Sequence, residues 1–461
     1  MHREDTIAAI ATPLGRSGIG IIRLSGIDAI KIADNLFHSP KEKKIMSALS
    51  HRIIYGHIVN PANKEIIDEV LISLMKAPNS YTKEDTVEIN CHGGNVPLRR
   101  VLELVLKGGA RLAEPGEFTR RAFLNGRIDL AQAEAVLDVV NALTVQSQKT
   151  ALQQLRGTLS KKIAAIKEEI VELFALVEAC IDFPEEETGS LSLEEMEKRA
   201  AAIIESLQKL VHGAKYGIIL REGLKTAIIG RPNVGKSSLL NALLEHDRAI
   251  VTEIPGTTRD VIEEYLNIQG LPVKIMDTAG IRDGGDIAEK EGVKRSFCLM
   301  EDADLVLLIL DGSDDLHATD RQLMKKSEGN NTLVVINKID LPQKLNADMA
   351  RGAGLKLAPA IRISAKKETG LDTLKNKIVE TAIGGDAGHG TDMVTNIRHV
   401  RALERALEAL LSFRSGISLK TAPEFLALDL RDSLDAIGEI LGITTPADIL
   451  ERIFSNFCIG K

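Results

Sequence analysis

The segment Gly230-Arg231-Pro232-Asn233-Val234-Gly235-Lys236-Ser237 has the residue types and spacing of a phosphate-binding loop, G-x-x-x-x-G-K-S. A glycine-rich turn lets backbone N–H groups point at phosphate oxygens, and the helix that follows adds the partial positive charge of its N-terminus. We expect Lys236 to reach the β- and γ-phosphates and the Ser237 hydroxyl to coordinate Mg²⁺. The segment predicts that phosphates are bound by Asn233, Val234, Gly235, Lys236, Ser237 and Ser238.

Two further segments have the chemistry to contact the γ-phosphate and its metal. Gly256-Thr257-Thr258 lies in a predicted loop, from which Thr258 can close on the metal. Asp277-Thr278-Ala279-Gly280 follows a predicted strand, so that Asp277 can hold the Mg²⁺ shell while the Gly280 N–H senses the γ-phosphate. We expect both segments to become ordered with a triphosphate and to relax after hydrolysis.

The segment Asn337-Lys338-Ile339-Asp340 has the chemistry to select guanine. The Asp340 carboxylate can accept two hydrogen bonds, from guanine N1–H and from the 2-amino group, and adenine has no such pair of donors. Ser364-Ala365-Lys366, after the next predicted strand, can supply a backbone donor to guanine O6. With the phosphate loop, these motifs predict a site for GTP rather than ATP. Ile281 stands where Ras-like enzymes have a water-orienting Gln, so hydrolysis is either very slow or depends on another group.

The elements that must position these motifs belong to a doubly wound α/β fold. Short apolar segments alternate with helical sequence from residue 223 to about 383, and the helix Leu239–Leu244 follows the phosphate loop. The predicted strands are Lys225–Ile229, Val273–Met276, Leu305–Leu310, Leu333–Ile336 and Ala360–Ile363.

The sequence on either side of this block has different periodicities. Residues 1–120 predict an α+β domain with a helix over Pro97–Lys107 and strands over Thr6–Ala11, Gly20–Leu24, Arg52–Val59, Glu69–Met75 and Thr86–Cys91. An apolar stripe from Leu159 to Cys180 predicts a long helix, and Ser192–Leu210 a second helix with a Ser-x-x-Glu cap. After a glycine-rich linker, helices are predicted over Asn396–Phe413, Ala422–Leu441 and Pro446–Ile453.

Neither helical segment is long enough to build a core of its own, which favours one helical domain into which the α/β domain is inserted. Two separate helical domains would give a similar pattern. The expected boundaries are residues 1–120 for the N-terminal domain, 121–217 for the first helical part, 218–384 for the inserted domain and 385–461 for the second helical part.

Composition narrows the class of protein. The chain has 461 residues, 58 basic and 65 acidic, and a net charge of -7, which argues against a generally basic nucleic-acid binder. The four cysteines are scattered, which disfavours a disulfide framework or a structural zinc site. No apolar run approaches the roughly 20 residues that cross a bilayer, and no signal-peptide core is found. We therefore expect a cytoplasmic protein without a membrane interaction.

Beyond these motifs, the chain resembles the MnmE (TrmE) family of tRNA-modifying GTPases over essentially its full length. The resemblance depends on Ala11-Thr12-Pro13-Leu14-Gly15-Arg16-Ser17-Gly18-Ile19-Gly20 with Arg23, on Pro115-Gly116-Glu117-Phe118-Thr119-Arg120-Arg121-Ala122-Phe123-Leu124-Asn125-Gly126-Arg127, and on the ending Phe457-Cys458-Ile459-Gly460-Lys461. It implies a multidomain α/β protein with an N-terminal α+β folate-binding and dimerisation domain, a helical domain and an inserted Ras-like P-loop GTPase domain.

The resemblance also implies an activity and partners. The family adds a carboxymethylaminomethyl group to carbon 5 of the wobble uridine of certain tRNAs. It acts with the flavoprotein MnmG (GidA), which carries FAD and forms a heterotetramer or larger complex with it. A tetrahydrofolate derivative, 5-formyl or 5,10-methylene, delivers the one-carbon unit. The expected cofactors of this chain are GTP, Mg²⁺, K⁺ and the folate, and the expected assembly is a homodimer.

For the nucleotide site, the resemblance implies a potassium ion held by Asn233, Thr252, the Ile254 backbone and Thr257, in a nucleotide-contacting segment that includes Glu253 and Pro255. A monovalent cation beside the phosphates can neutralise transition-state charge as an arginine finger does. By the same resemblance, Glu289 takes the place of the missing water-orienting Gln. Glu291 lies close by, and a shift in register after Gly284-Gly285 would move the role to it.

For the N-terminal domain, the resemblance implies a folate pocket that uses Arg23, Glu88, Arg127 and Lys461. Basic groups suit the glutamate tail of a folate, and a carboxylate suits the donor edge of the pterin. Cys458 is a candidate catalytic thiol of the modification site. Without the resemblance, a surface charge or an inert thiol would be the simpler interpretation of each of these residues.

Two other functions fit parts of the sequence. A ribosome-assembly GTPase that acts as an RNA-binding switch would share the GTPase motifs. Such factors usually carry a KH module or a second GTPase domain, neither of which is recognisable here. Residues 1–120 could also be an independent folate-dependent transferase, but they offer no identifiable catalytic acid.

Overall fold

In a computed structural model, the chain is described over residues 5–40, 44–182, 189–247, 249, 264–277, 289–328, 330–345, 360–384 and 393–461, without the side chains of 189–192 and 289–295. The chain forms two compact units. The first comprises residues 1–137 and 438–461, and the second residues 138–437.

The first unit is built on a mostly antiparallel seven-stranded sheet, with the order β3-β4-β5-β6-β2-β1-β7. Its strands are β1 (Ile7–Ile10), β2 (Ile19–Ser25), β3 (Phe37–His38), β4 (Arg52–Val59), β5 (Ile66–Met75), β6 (Thr86–His92) and β7 (Arg111–Leu112). Helices α1 (Ala29–Leu36) and α2 (Asn95–Lys107) cover one face, where their apolar residues join those of β2, β4, β5 and β6 in one core. The predicted strands are all present; among the elements of this layer, α1, β3 and β7 were not predicted.

Two helices bring the end of the chain into this unit. Helix α3 (Glu117–Leu124) contacts α14 (Ala447–Ser455) near the C-terminus. The ring centroids of Phe123 and Phe454 are 6.4 Å apart, and those of Phe454 and Phe457 are 5.6 Å apart. Helix α4 (Leu130–Asn141) continues from the first unit into the second. The terminal residues 456–461 therefore pack with the sheet of the first unit.

The helices of the second unit pack on one another across a long gap in the sequence. They are α5 (Val145–Leu155), α6 (Thr158–Asp182), α7 (Gly189–Glu222), α12 (Ile397–Ser418) and α13 (Pro423–Leu441). Helix α7 contacts α6, which precedes it, and α12, which follows the α/β sequence. The prediction that this helix spans Ser192–Leu210 was too short, since α7 begins at Gly189 and continues to Glu222. Packing of the added turns on the sheet stabilises them, and sequence caps do not report that packing.

The sheet of the second unit has six strands in the order β13-β12-β11-β8-β10-β9. They are β8 (Leu224–Ile229), β9 (Glu264–Ile268), β10 (Leu271–Ile275), β11 (Leu305–Asp311), β12 (Thr332–Asn337) and β13 (Ile361–Arg362). All pairings are parallel except β9 with β10. The remaining helices are α8 (Lys236–Asp247), α9 (Glu289–Asp302), α10 (Ala318–Lys326) and α11 (Leu371–Ile383). The predicted α/β block is thus a parallel sheet with one antiparallel edge strand, β9, that the sequence analysis missed.

Candidate functional site: a nucleotide site and a cation–aromatic site

The phosphate loop connects the carboxyl end of β8 to the first residue of α8. Asn233 and Gly235 have φ angles of 66° and 98°, in the left-handed region. A Cβ atom at Gly235 would collide with the side-chain amide of Asn337, so a glycine is required there for packing as well as for its backbone angle. The loop therefore has the turn that the sequence pattern predicts.

The Lys236 ammonium bends back over this loop. Its Nζ donates to the carbonyl oxygens of Gly230 and Arg231, at 2.8 Å each. Burial of the amine lowers the pKa of Lys236 from its ordinary value. From this position the ammonium can exchange its two carbonyl acceptors for the oxygens of a phosphate.

Asn337 joins the phosphate loop to the two guanine motifs. Its Nδ2 donates to the carbonyl of Val234 at 2.9 Å, and its Oδ1 accepts from the backbone N–H of Ala365 at 3.0 Å. The side chain is almost fully buried, so both hydrogen bonds are shielded from water. The Asn337 side chain therefore links Val234 of the phosphate loop to Ala365 at the carboxyl edge of the sheet.

A neighbouring hydroxyl orients the Asp340 side chain. Its Oδ1 accepts a hydrogen bond of 2.6 Å from the Ser364 hydroxyl, which lowers the pKa of the Asp340 carboxyl from its ordinary value. The carboxylate stays ionised and retains its second oxygen for a donor pair. Lys338, between these residues, has a φ of 64°, and its ammonium contacts Asp311 at 2.6 Å.

The predicted metal ligands are only partly described. Ser237 lies in the first turn of α8, and Asp277, with a φ of 56°, follows the end of β10. A hydroxyl and a carboxylate are hard oxygen ligands of the kind that suits Mg²⁺. Of the remaining predicted nucleotide residues, those outside the described residues are Thr252, Glu253, Ile254, Pro255, Gly256, Thr257, Thr258, Thr278, Ala279 and Gly280.

The two candidates for orienting water lie at the start of α9. Glu289 is the first residue of this helix, and Glu291 follows two positions later. Their side chains, like Ile281 and the Gly284-Gly285 segment, lie outside the described part of the chain. The choice between Glu289 and Glu291 stays a prediction.

An ion pair that the sequence analysis missed supports the phosphate loop from outside. The Nε of Arg231 lies 2.8 Å from Asp320 Oδ2, and this aspartate is almost completely buried in α10. A second carboxylate, Asp314, lies 3.4 Å from the Arg231 guanidinium. Arg231 occupies a variable position of the loop pattern, so nothing in the motif marks it, and its partners lie far along the chain.

A second site lies in the first unit, around the ring of Tyr81. The Arg23 guanidinium lies 5.9 Å from the ring centroid, and the Arg127 guanidinium 4.7 Å. The Tyr81 hydroxyl and the Thr119 hydroxyl are 2.9 Å apart. Burial raises the pKa of the Tyr81 phenol, so the ring stays neutral between two cations.

Two of the residues predicted for the folate pocket form a cross-strand ion pair. Arg23 on β2 is directly opposite Glu88 on β6. Its Nε and Nη2 lie 2.9 Å and 2.8 Å from Glu88 Oε1, and its Nη1 donates to the Gly460 carbonyl at 3.0 Å. The C-terminal residues therefore reach the same place, and Lys461 is the next residue after this contact.

The cations of this site differ in what already neutralises them. Arg23 is paired with Glu88, whereas the guanidinium of the exposed Arg127 makes no hydrogen bond or ion pair with any described residue beyond its contact with the Tyr81 ring. The thiol of Cys458 is exposed, and the Cys458 carbonyl accepts from the Lys461 N–H at 3.2 Å. Arg127 is thus the arginine of this cluster whose charge is available to an anion.

Tyr81, Phe118 and Thr119 are the members of this cluster that sequence reasoning missed as site residues. Phe118 also contacts Arg23, with its ring centroid 5.6 Å from the guanidinium. Their positions have no fixed spacing relative to residues 23, 88 and 127. The usable signal was that Phe118 and Thr119 belong to the Pro115–Arg127 segment on which the family resemblance depends.

No helix in the described part of the chain is long and apolar enough to cross a membrane.

Comparisons with known proteins cover the whole chain. The family model for the MnmE helical domain matches residues 130–458, and that for the GTP-binding protein TrmE N-terminus matches residues 6–127. The tRNA modification GTPase MnmE of Alkaliphilus oremlandii is 49% identical over 462 residues, which cover 100% of both chains. The protein of the same name from Geobacillus thermodenitrificans is 48% identical over 464 residues and 100% of both chains.

Among solved structures, the G domain of the T. maritima FeoB iron transporter is 27% identical and covers 34% of this chain and 98% of that chain, with a TM-score of 0.26. The family models and the full-length relatives decide the assignment. Together with phosphate and guanine motifs gathered at one sheet edge, they show that the chain belongs to the MnmE (TrmE) family of tRNA modification GTPases.

Proposed function

We propose that this GTPase, together with the flavoprotein MnmG, adds a carboxymethylaminomethyl group to carbon 5 of the tRNA wobble uridine with a folate one-carbon unit. The observation that carries the proposal is that one chain gathers phosphate-loop and guanine motifs at the edge of a parallel sheet and also has a separate cation–aromatic cluster around Tyr81. A ribosome-assembly GTPase would need the first site only. The family assignment also favours tRNA modification.

In the nucleotide site, each described residue has a binding role. The Lys236 ammonium would leave the carbonyls of Gly230 and Arg231 for the β- and γ-phosphates, and Asp340 would accept the guanine donors. Ser237 and Asp277 would hold Mg²⁺, which supplies charge neutralisation when bound. Asn233 would contribute to a K⁺ site with Thr252, Ile254 and Thr257. Glu289, or Glu291, would orient the attacking water.

In the cation–aromatic site, the described residues suit the two ends of a folate. Tyr81 offers an aromatic ring beside a free guanidinium, Arg127, which can pair with a carboxylate of the glutamate tail. Glu88 has an oxygen that Arg23 does not occupy and that can accept from a pterin donor edge. Cys458 precedes and Lys461 follows Gly460, whose carbonyl accepts from Arg23, which supports roles for both in the same site.

The homodimer is supported by the open face of the first sheet. The core face carries Val70, Ile72, Val87 and Ile89, so alternation along the strands places the intervening residues on the opposite face, and some of these are apolar. Tyr55 and Leu71 are directly opposite each other there, and Ile53 is 70% exposed. The same face continues through Asn90 to Glu88 and Arg23. A second copy of the chain that covers this face would bury apolar surface beside the folate residues.

The domain arrangement we propose is an α/β domain, residues 218–384, inserted between helical residues 121–217 and 385–461, after an N-terminal domain over 1–120. The packing of α12 on α7 supports this arrangement. So do the hydrogen bonds of the Gln154 amide on α5 to the Met393 carbonyl at 2.8 Å and the Thr395 hydroxyl at 3.0 Å. FAD belongs to the partner MnmG, and we place the reaction in the cytoplasm.

The first test measures wobble-uridine modification directly. Deleting the gene should abolish carbon-5 substituents on wobble uridines in nucleoside mass spectrometry, and the wild-type chain should restore them. The Asp340→Asn variant should not restore them with cellular GTP, because its amide presents a donor to guanine N1–H. An unchanged nucleoside profile in the deletion strain would refute the proposed function.

The second test concerns the monovalent cation. GTP turnover by the purified chain should be at least tenfold faster in KCl than in NaCl at equal ionic strength, since a K⁺ site at Asn233 and Thr257 would act on the developing charge. Asn233→Ala should lose this difference. Equal rates in the two salts would exclude a potassium-dependent mechanism.

A further inference from the structure

The loop that follows β11, residues Asp311–Asp314, contacts both halves of the nucleotide site, although no sequence motif marks it. We call it the β11 loop. Asp314 pairs with Arg231 of the phosphate loop at 3.4 Å, and the Gly312 N–H donates to the Asn337 carbonyl at 2.9 Å. Asp311 contacts the Lys338 ammonium at 2.6 Å. The guanine motif is therefore supported from this side by a segment distant in sequence.

Lys338 is held at its backbone and at its side chain. Its φ of 64° is unusual for a non-glycine residue, and the Gln343 amide donates to its carbonyl at 2.9 Å. Its ammonium reaches Asp311, whose side chain is only 11% exposed. A flexible lysine side chain loses rotamer entropy on being fixed, so an ion pair that fixes it in advance removes this cost from ligand binding.

The Asp311 carboxylate is itself fixed in direction. Its Oδ1 accepts from the Ser313 N–H at 2.9 Å and from the Ser313 hydroxyl at 2.7 Å, while Oδ2 faces Lys338. Burial alone would raise the pKa of Asp311, but the Lys338 and Ser313 hydrogen bonds lower it below its ordinary value. The Asp311 carboxylate is therefore ionised near neutral pH.

Asp340 and Ala365 are the groups that would contact the base edge, and Lys338 precedes Asp340 by two residues. A hydrogen bond of 3.1 Å from the Leu341 N–H to the Lys338 carbonyl closes the turn that holds both residues, so a base bound at Asp340 would lie close to Lys338. We propose that Asp311 is a positioning residue for the guanine nucleotide: it holds the Lys338 side chain in place beside the base and so sets the residence time of GDP and GTP. This inference rests on the guanine role proposed for Asp340.

The test is a double-mutant cycle on nucleotide dissociation, because Asp311 should act only through Lys338. Release of a fluorescent GDP from the purified full chain is followed by stopped flow for wild type, Asp311→Asn, Lys338→Met and the double variant. We expect about tenfold faster release for Asp311→Asn and less than about twofold further acceleration when it is added to Lys338→Met. Asp315→Asn is the matched control. Asp315 lies directly after the β11 loop and is 80% exposed, so release from this variant should stay within about twofold of wild type.

Wild-type release from Asp311→Asn, or a full tenfold effect in the Lys338→Met background, would overturn the inference. If Asp311→Asn does not fold, Ser313→Ala carries the test, since it removes one bond that orients Asp311 and should accelerate release by about threefold. Wild-type release from Ser313→Ala would then overturn it. Asp340→Asn, measured with GDP and xanthosine diphosphate, tests the underlying site separately: unchanged preference for guanine would refute the proposed site whatever Asp311 does.

Discussion

The two candidate sites are built from different materials. In the nucleotide site, contiguous segments such as Gly230–Ser237 present backbone groups, and buried side chains such as Asn337 hold the segments together. In the cation–aromatic site, single side chains from Arg23, Tyr81 and Arg127 meet across a sheet and a helix. A backbone-built site needs a local conformation, whereas a side-chain cluster needs the whole fold of its unit.

This difference has a consequence for how each site responds to substitution. The phosphate loop depends on its own backbone, with φ angles of 66° at Asn233 and 98° at Gly235, and on the Lys236 ammonium that folds back over it. The cation–aromatic site depends instead on the buried ion pairs that hold α3 in place, in which Glu117 contacts Arg111 at 2.6 Å and Arg121 at 3.1 Å. We therefore expect loss of one charge in the nucleotide site to act mainly on nucleotide binding and turnover, and loss of one charge in the first unit to reduce stability.

The largest expected effect is that of Lys236→Ala. This change removes the ammonium that the phosphate loop holds ready, and it should lower kcat/KM for GTP by about a thousandfold with little change in thermal stability. Lys225→Ala, an exposed lysine on the same strand–loop–helix segment, is the matched control and should leave kcat/KM within about twofold. GTP turnover and binding calorimetry check both. Near-normal turnover by Lys236→Ala would mean that the loop backbone alone binds phosphate.

The next effect is on stability, for Glu117→Gln. Its carboxylate is 2% exposed and paired with two arginines, so neutralising it should lower the free energy of unfolding by about 3 kcal/mol at neutral pH. Glu114→Gln, at a carboxylate that is 50% exposed and pairs with Arg120, should cost less than about 1 kcal/mol. Chemical denaturation followed by circular dichroism measures both.

The ion pairs of Glu117 also determine the direction in which the free energy of unfolding changes with pH. Burial alone would raise the pKa of Glu117, but hydrogen bonds from Arg111 and from the Glu114 N–H outweigh it, and the pKa lies below its ordinary value of 4.5. The unfolded chain then takes up this proton first, so the contribution is complete above that value and is lost as the pH falls through the folded pKa. Wild type should lose more stability than Glu117→Gln on acidification from about pH 7 to about pH 4. If wild type and Glu117→Gln lose stability in parallel, Glu117 does not cause the loss of stability in acid.

The sequence predicted most elements of both units because their apolar periodicities are strong. The strands of the α/β block are nearly continuous apolar segments, and β11 and β12 were placed almost to the residue. The edge strand β9 was missed because Tyr265 and Asn267 interrupt its apolar residues. The end of α7 was missed because a single residue, Gly223, separates Glu222 at the end of this helix from Leu224 at the start of β8, so no loop sequence marks the boundary.

The sites divided in the same way. Short motifs located Val234, Asn337, Asp340 and Ala365, since each lies at a fixed offset from the end of a strand. Their supporting partners were not predictable. Asp311 and Asp320 are ordinary carboxylates in sequence, and only the fold brings them to Lys338 and Arg231. Tyr81 was missed for the same physical reason, because its neighbours come from the β2 strand and the α3 helix.

The smallest expected effect therefore tests that missed residue. Tyr81→Leu removes the ring on which the Arg127 guanidinium lies, so binding of 5-formyltetrahydrofolate should weaken by about tenfold. Tyr81→Phe is the matched control: it keeps the ring and loses only the contact with Thr119, so the Kd should stay within about threefold of wild type. Calorimetric titration of the full chain measures both. If the Tyr81→Leu variant binds the folate as tightly as the Tyr81→Phe variant does, Tyr81 is only a core residue, and the charged side chains alone form the site.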